Sequence, residues 1–296
     1  MRAHLTHYLR ALKDDRRLSD NTLSAYERDL LSFAAFAEEN GIREAESVQR
    51  QLLARYLQTL KEQGKKPATL SRHIVSLRSF FQYLVMEGVI ANNPSLFMIA
   101  PKQEKRLPSV LTKEATAALL DSPDTSASSG VRDKAMLELL YATGIRVSEL
   151  VALNVEHVHL SLGYIQCAGN GTNERIVPFG KMAAEALSHY FPSGRNELLS
   201  QRDSGSALFL NHLGTRMTRQ GFWKIVKKYA KEAGVEEAIT PHTLRHSVAA
   251  HMLENGADIR SVQELLGHAD LSTTLKYAQL PKQRLKEVYS SAHPRA

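Results

Sequence analysis

Apolar residues recur at three- and four-residue intervals through the first hundred positions of the chain. Between Asp20 and Asn40 they fall at Leu23, Tyr26, Leu30, Phe33 and Phe36, one face of an amphipathic helix that Gly41 stops. Leu52, Leu53, Tyr56, Leu57 and Leu60 repeat the pattern from Val48 to Gln63, just ahead of Gly64. A third run begins after Pro67 and carries Leu70, Ile74, Leu77, Phe81 and Leu84. With a leading helix around His4 to Leu12, the pattern predicts a small bundle of four or five helices. The period is then lost. Asn92-Asn93-Pro94 and the charged stretch between Pro101 and Pro108 read as a linker, with a domain boundary near Leu107.

Beyond that boundary the periods mix. Arg132 to Tyr141 is helical, Thr143-Gly144 breaks it, and a short helix runs from Arg146 to Leu153. VEHVHL from Val155, YIQCA from Tyr164 and ERIVPF from Glu174 are short β-like runs between Gly-rich turns, which predicts a small antiparallel sheet. Helices follow from Lys181, Arg219, Pro241, Ile259 and Thr273. The expected fold class is mainly α with a small antiparallel β-sheet, in two domains covering 1–106 and 107–296.

Composition adds a little. A chain of 296 residues that is 43% hydrophobic can bury a substantial core, and its length suits two domains. Lys and Arg outnumber Asp and Glu by 38 to 31, a net charge of +7, which favours a polyanionic partner only weakly. Cys167 is the only cysteine, so an intramolecular disulfide and a cysteine metal cluster are excluded; it reads as a small apolar strand residue. The N-terminus lacks the apolar core of a signal peptide, and no run approaches the ~20 apolar residues that span a bilayer, so a cytoplasmic protein is expected. No carboxylate set with the spacing of a two-metal site is identifiable, and neither metal nor cofactor is expected.

Three polar clusters carry candidate chemistry. In TPHTLRHS, Thr240 is a candidate cap, Pro241 suits a first helical turn, and His242 and Arg245 share one side of the helix beside an apolar stripe of Leu244, Val248 and Met252. Such a pair suits a phosphate, Arg as a fork and His as a further donor, although the segment alone favours an ordinary surface pair. In ATGIRVSEL, Arg146 follows a Thr-Gly break near a helix N-terminus, and Glu149 lies three residues on, either orienting the guanidinium or forming a plain ion pair. In ELLGHADLSTTLKYAQL, Gly267 ends a helix, His268 follows it, and Ser272 or Thr273 can cap the helix carrying Tyr277, one of ten tyrosines.

The order TGIRxSEL, HxLRHS, LLGHxxxxTTxxYA resembles the tyrosine recombinase (phage integrase) family. The likeness extends to LSDNTLSAYERDL, the linker, the VPFG strand end and the terminal AHPRA, and so covers essentially the whole chain. The ends are most similar to the XerD-like branch. The resemblance implies a two-domain C-shaped clamp, with a helical, SAM-like core-binding domain and a catalytic domain. It implies that Arg146 and Arg245 clamp the scissile phosphate, that His242 and His268 complete the pocket and that Tyr277 is the nucleophile. It also implies double-stranded DNA of the dif type as substrate, a XerC-like partner in a heterotetramer and an FtsK-type translocase. A covalent phosphotyrosine conserves the bond energy, so religation needs neither ATP nor metal.

One position departs from the pattern. The sheet turn that carries a lysine in the family reads GNGTNER here, placing Asn170 at that site, and no lysine lies between Lys134 and Lys181. Asparagine donates a hydrogen bond but has no proton to transfer. The expectation is therefore impaired cleavage with an intact DNA-binding surface, unless Lys181 substitutes. A non-cleaving DNA-binding protein, a type IB topoisomerase-like enzyme and a helical scaffold are the rival readings.

Overall fold

The computed structural model describes residues 1–14, 18, 20–101, 109–167, 174–199, 205–235, 239–240, 242–267, 270 and 273–275. The chain divides into two compact units, Met1–Lys105 and Arg106–Ala296.

The first unit is built from α1 (Arg2–Asp14), α2 (Asp20–Glu39), α3 (Arg50–Glu62) and α4 (Pro67–Met86). Most of the apolar positions read from the sequence meet in one core, where Leu53, Leu77, Phe80 and Phe81 are fully buried, while Leu23 and Tyr26 near the start of α2 are only half-buried. Aromatic rings interlock there edge to face: Tyr8 on Phe80 with centroids 5.5 Å apart, Phe33 on Tyr56 at 5.2 Å. One carboxylate lies inside this unit. Asp29 accepts both prongs of the Arg72 fork at 2.8 Å, and the His73 ring lies 3.2 Å away, so the charge is paired where water cannot reach it.

The second unit opens with α5 (Lys113–Asp121), capped by Thr112, whose hydroxyl accepts from the Ala115 amide at 3.1 Å. Its central element is α6 (Ser128–Thr143), buried on nearly every side. A helix surrounded by protein must pair its charges, and Arg132 clamps Asp133 at 2.7 Å while the Tyr229 hydroxyl donates to the same carboxylate at 3.0 Å. Gly144 closes α6 with φ of 59°, and α7 (Val147–Ala152) begins at once.

The sheet has three antiparallel strands in the order β1 (Val158–His159), β2 (Tyr164–Cys167) and β3 (Arg175–Pro178). Ile165 pairs with both Val158 and Val177, and Cys167 with Arg175. The first half of VEHVHL is not a strand. Val155–His157 forms a 3-10 turn, because the backbone at 153–155 is engaged elsewhere, the Val155 amide bonding Ser206 O at 2.9 Å and the Leu153 carbonyl taking the Leu208 amide at 2.9 Å. Cys167 is buried in β2, and burial pushes its thiol up to about 11, so it is an apolar filler and no nucleophile at neutral pH.

The remaining helices are α8 (Lys181–His189), the single turn α9 (Asn196–Leu198), α10 (Arg219–Glu232), α11 (Thr243–Glu254) and α12 (Ile259–Leu266). Helix α11 starts two residues later than the sequence suggests, with His242 in the N-cap position. Thr240 does not cap it; its amide donates to Thr243 Oγ1 at 2.8 Å and its carbonyl accepts from the Thr243 amide, closing a turn ahead of the helix. The extended segment preceding α5 lies along α11, where the Leu111 amide donates to Ser247 Oγ and His251 Nε2 meets Leu111 O, both at 2.9 Å. The linker 102–108, the sheet turn 168–173, Pro241, and the expected C-terminal helix and tail from 276 lie outside the described residues.

Candidate active site

Four chain segments meet at the end of α12. The last residue of that helix is Leu266, and Gly267 follows it in the left-handed region at φ of 61°. The C-terminal carbonyls of a helix carry partial negative charge and have no intrahelical donors. Two arginines occupy them. Arg245, in the first turn of α11, donates to Leu266 O and, with its other prong, to Gly144 O at the end of α6. Arg146, at the start of α7, donates to Gly267 O at 3.1 Å. Guanidiniums separated by 99 positions in the sequence are thereby anchored on adjacent carbonyls.

The two differ in exposure. The Arg245 residue is 4% exposed, whereas the Arg146 side chain is 41% exposed. One is a fixed wall and the other faces outward.

Glu149 holds Arg146 in place. Its Oε2 accepts the Arg146 amide at 2.6 Å, the reciprocal half of a capping box, and its Oε1 meets Arg146 Nη1 at 3.1 Å. A further arginine, Arg175 at the start of β3, forks the same carboxylate at 2.7 and 3.0 Å. Burial pushes Glu149 upward, but the Arg175 hydrogen bonds, the Arg146 amide and both positive charges outweigh it and hold the carboxyl below its ordinary range.

His242 stands exposed at the start of α11, its ring 6.0 Å from that of His246. Its pKa lies below the ordinary histidine value, first through partial desolvation and then through the fields of Arg245, Arg219 and Arg146. It is therefore neutral at physiological pH and able to accept a proton. Arg219, the first residue of α10, belongs to the same electropositive cluster.

The structure thus draws Arg146, His242 and Arg245 into one neighbourhood. Asn170, His268 and Tyr277 lie outside the described residues; Gly267 immediately precedes His268, and Leu275 lies two positions before Tyr277. Lys181 is 87% exposed at the start of α8, 3.5 Å from Glu185 on the same helix. Arg175 is the residue the sequence reading passed over. Its signal was present: it shares the inward face of β3 with buried Val177, and a charge at an inward strand position needs a partner.

Comparison with known proteins decides the family. Residues 109–284 match the phage integrase family, and residues 5–88 match the N-terminal SAM-like domain of phage integrases. The chain belongs to the phage integrase family. The tyrosine recombinase XerD of Oceanobacillus iheyensis is 50% identical over 98% of this chain and 97% of its own length. That of Listeria innocua is 48% identical over 98% of each. This is a XerD-like tyrosine recombinase, an enzyme that cuts and rejoins DNA strands. Among solved structures, the XerH site-specific recombinase bound to a palindromic difH substrate in a post-cleavage complex aligns with a TM-score of 0.74 and 25% identity, covering 97% of this chain and 84% of that one. A lambda integrase dimer bound to a core site aligns at 0.74 with 18% identity over 96% of each chain and shares the fold. No helix among the described residues is long and apolar enough to cross a membrane.

Proposed function

We propose that this recombinase acts at a dif-type site through a 3′-phosphotyrosyl intermediate on Tyr277, with Arg146 and Arg245 as the phosphate clamp. The observation that carries the reading is the anchoring of both guanidiniums on the Leu266–Gly267 turn, one residue before His268. Like charges held side by side repel, and the helix-end carbonyls offset only part of that repulsion. An anion seated between them completes the balance.

The chemistry follows from the residue types. The Tyr277 oxygen attacks phosphorus, its proton passes to neutral His242, and the bond to the 5′-oxygen breaks. The clamp neutralises charge as the pentavalent transition state forms, the kind of electrostatic help that usually dominates such steps. His268 adds a hydrogen bond to the phosphate. Religation reverses the sequence, the 5′-hydroxyl of the partner strand displacing the tyrosine. Strand exchange between two sites proceeds through a Holliday junction in a tetramer with a XerC-like partner, under an FtsK-type translocase. Resolution of chromosome dimers is the cellular reaction this assembly serves.

Asn170 is the weak point of that catalyst. By resemblance it takes the position of the lysine that would protonate the leaving 5′-oxygen, and it has no proton to give. Cleavage by this chain is accordingly slow, and Asn170→Lys accelerates it by at least ~10²-fold, the lower bound for a general acid. The check is single-turnover adduct formation on a nicked suicide duplex carrying a dif-type site, resolved on a denaturing gel. Equal rates for the two proteins contradict the role of Asn170. Binding by both without any adduct leaves the non-cleaving DNA-binding alternative as the better account.

A further inference from the structure

Arg175 bears on Arg146 from two directions. The Arg146 guanidinium is anchored on Glu149 Oε1 at 3.1 Å and on Gly267 O at 3.1 Å. The first depends on Arg175, whose fork spans both Glu149 oxygens at 2.7 and 3.0 Å and fixes the plane of the carboxylate. The second depends on it as well. The Arg175 guanidinium lies against Gly267 so closely that a Cβ there would fall 2.9 Å from its Nη1 and 3.0 Å from its Cζ. Both anchors of the outward-facing arginine therefore rest on one inward-facing arginine.

An ordinary ion pair does not account for this arrangement. Glu149 already has Arg146 as its partner, and adding Arg175 puts two positive charges on one carboxylate. The side chains of Arg175 and Glu149 are only 20% and 11% exposed, so the excess charge is poorly screened by water. Arg175 Nε is buried and meets no hydrogen-bond acceptor among the described residues. Folding alone would be served better by an apolar residue on the inward face of β3. A site that must hold a phosphate has use for the surplus charge and for a rigid support.

We propose that Arg175 is a positioning residue for strand transfer, holding Glu149 and Gly267 so that the Arg146 guanidinium faces the scissile phosphate. The proposal rests on the assignment of Arg146 to that phosphate. It acts through Arg146 and requires no contact between Arg175 and DNA.

The test compares two nicked suicide duplexes, one with the natural scissile phosphate and one with a neutral methylphosphonate in its place. Arg175→Ala, Arg175→Lys and Arg146→Ala are each made in the Asn170→Lys background, with duplex affinity measured by gel shift. On the natural duplex, Arg175→Ala slows adduct formation by about 10²-fold, the scale of a misplaced group near the reacting atoms. Arg175→Lys recovers only part of the rate, because an ammonium cannot fork both oxygens. On the methylphosphonate duplex, where no charge awaits the clamp, the deficits of Arg175→Ala and Arg146→Ala both shrink by at least about tenfold. A residue that merely holds the fold would show the same deficit on both duplexes. Equal deficits, or an Arg175→Ala protein that cleaves at the parental rate, overturn the proposal. If Arg146→Ala itself gains nothing from the neutral duplex, or no variant forms an adduct, the underlying assignment of Arg146 falls first. Should Arg175→Ala fail to fold, Arg175→Lys carries the same comparison.

Discussion

In the proposed mechanism His242 takes a proton from Tyr277, which it can do only while neutral. His242 is kept so by partial desolvation and by three arginines, of which Arg219 lies furthest from the recombinase motifs in sequence. With its pKa depressed, the base form persists below the usual value near ~6.5, and the acid limb of the cleavage profile sits correspondingly low. Arg219→Ala removes one positive charge, raises the His242 pKa and moves that limb to higher pH; a pH–rate series on the suicide duplex reads the shift. An unmoved limb assigns it to another group. The same depression has a stability consequence: the contribution of His242 is complete above the unfolded-state pKa and is lost as pH falls through the folded one. At this scale the sequence was informative where motif residues are contiguous, as with Arg146 and Glu149 or His242 and Arg245. Arg175 was opaque because its meaning depends on a carboxylate 26 positions away and on which way β3 faces.

At the scale of elements, the site is a set of helix ends. Gly144 ends α6 with φ of 59°, its carbonyl receives Arg245, and a Cβ there would lie 2.6 Å from Leu266 Cδ2, a side chain buried too completely to swing aside. Gly144→Ala therefore combines a left-handed backbone penalty with overpacking and costs about 1–3 kcal/mol. Urea denaturation should show a lower midpoint at unchanged slope. A wild-type midpoint would mean that the α6–α12 junction yields more readily than its packing implies. Helices α2, α3 and α4 lie where the apolar period places them, since each has one face toward the core and one toward water. The start of α6 was invisible because its first turn, Ser128-Ser129-Gly130, has no large apolar residue, and the buried positions from Gly130 to Asp133 run on without a period to read. Helix α5 offered only Leu119 and Leu120 as large apolar residues, too few to establish one.

At the scale of the whole chain, the two largest cores form from separate stretches of sequence, one through residues 5–98 and the other from Leu111 onward, where a smaller cluster of Ala249, Val262 and Leu266 also forms. A bundle with its own aromatic core should fold by itself, and chains of about this size commonly do. Residues 1–105 expressed alone should give a helical circular-dichroism spectrum and a single cooperative urea transition. A molten or aggregated fragment would show that its stability is borrowed from the remainder. Tyr277 is the proposed nucleophile, and mass spectrometry tests it directly. The adduct formed on a suicide duplex by this chain and by Asn170→Lys is digested with nuclease and trypsin, and the nucleotide-bearing peptide is sequenced. Tyr277 falls in the tryptic peptide YAQLPK, which holds no other tyrosine. A nucleotide mass on that peptide, abolished in Tyr277→Phe, is the predicted result; a nucleotide on any of the other nine tyrosines, or an adduct that survives Tyr277→Phe, would contradict it.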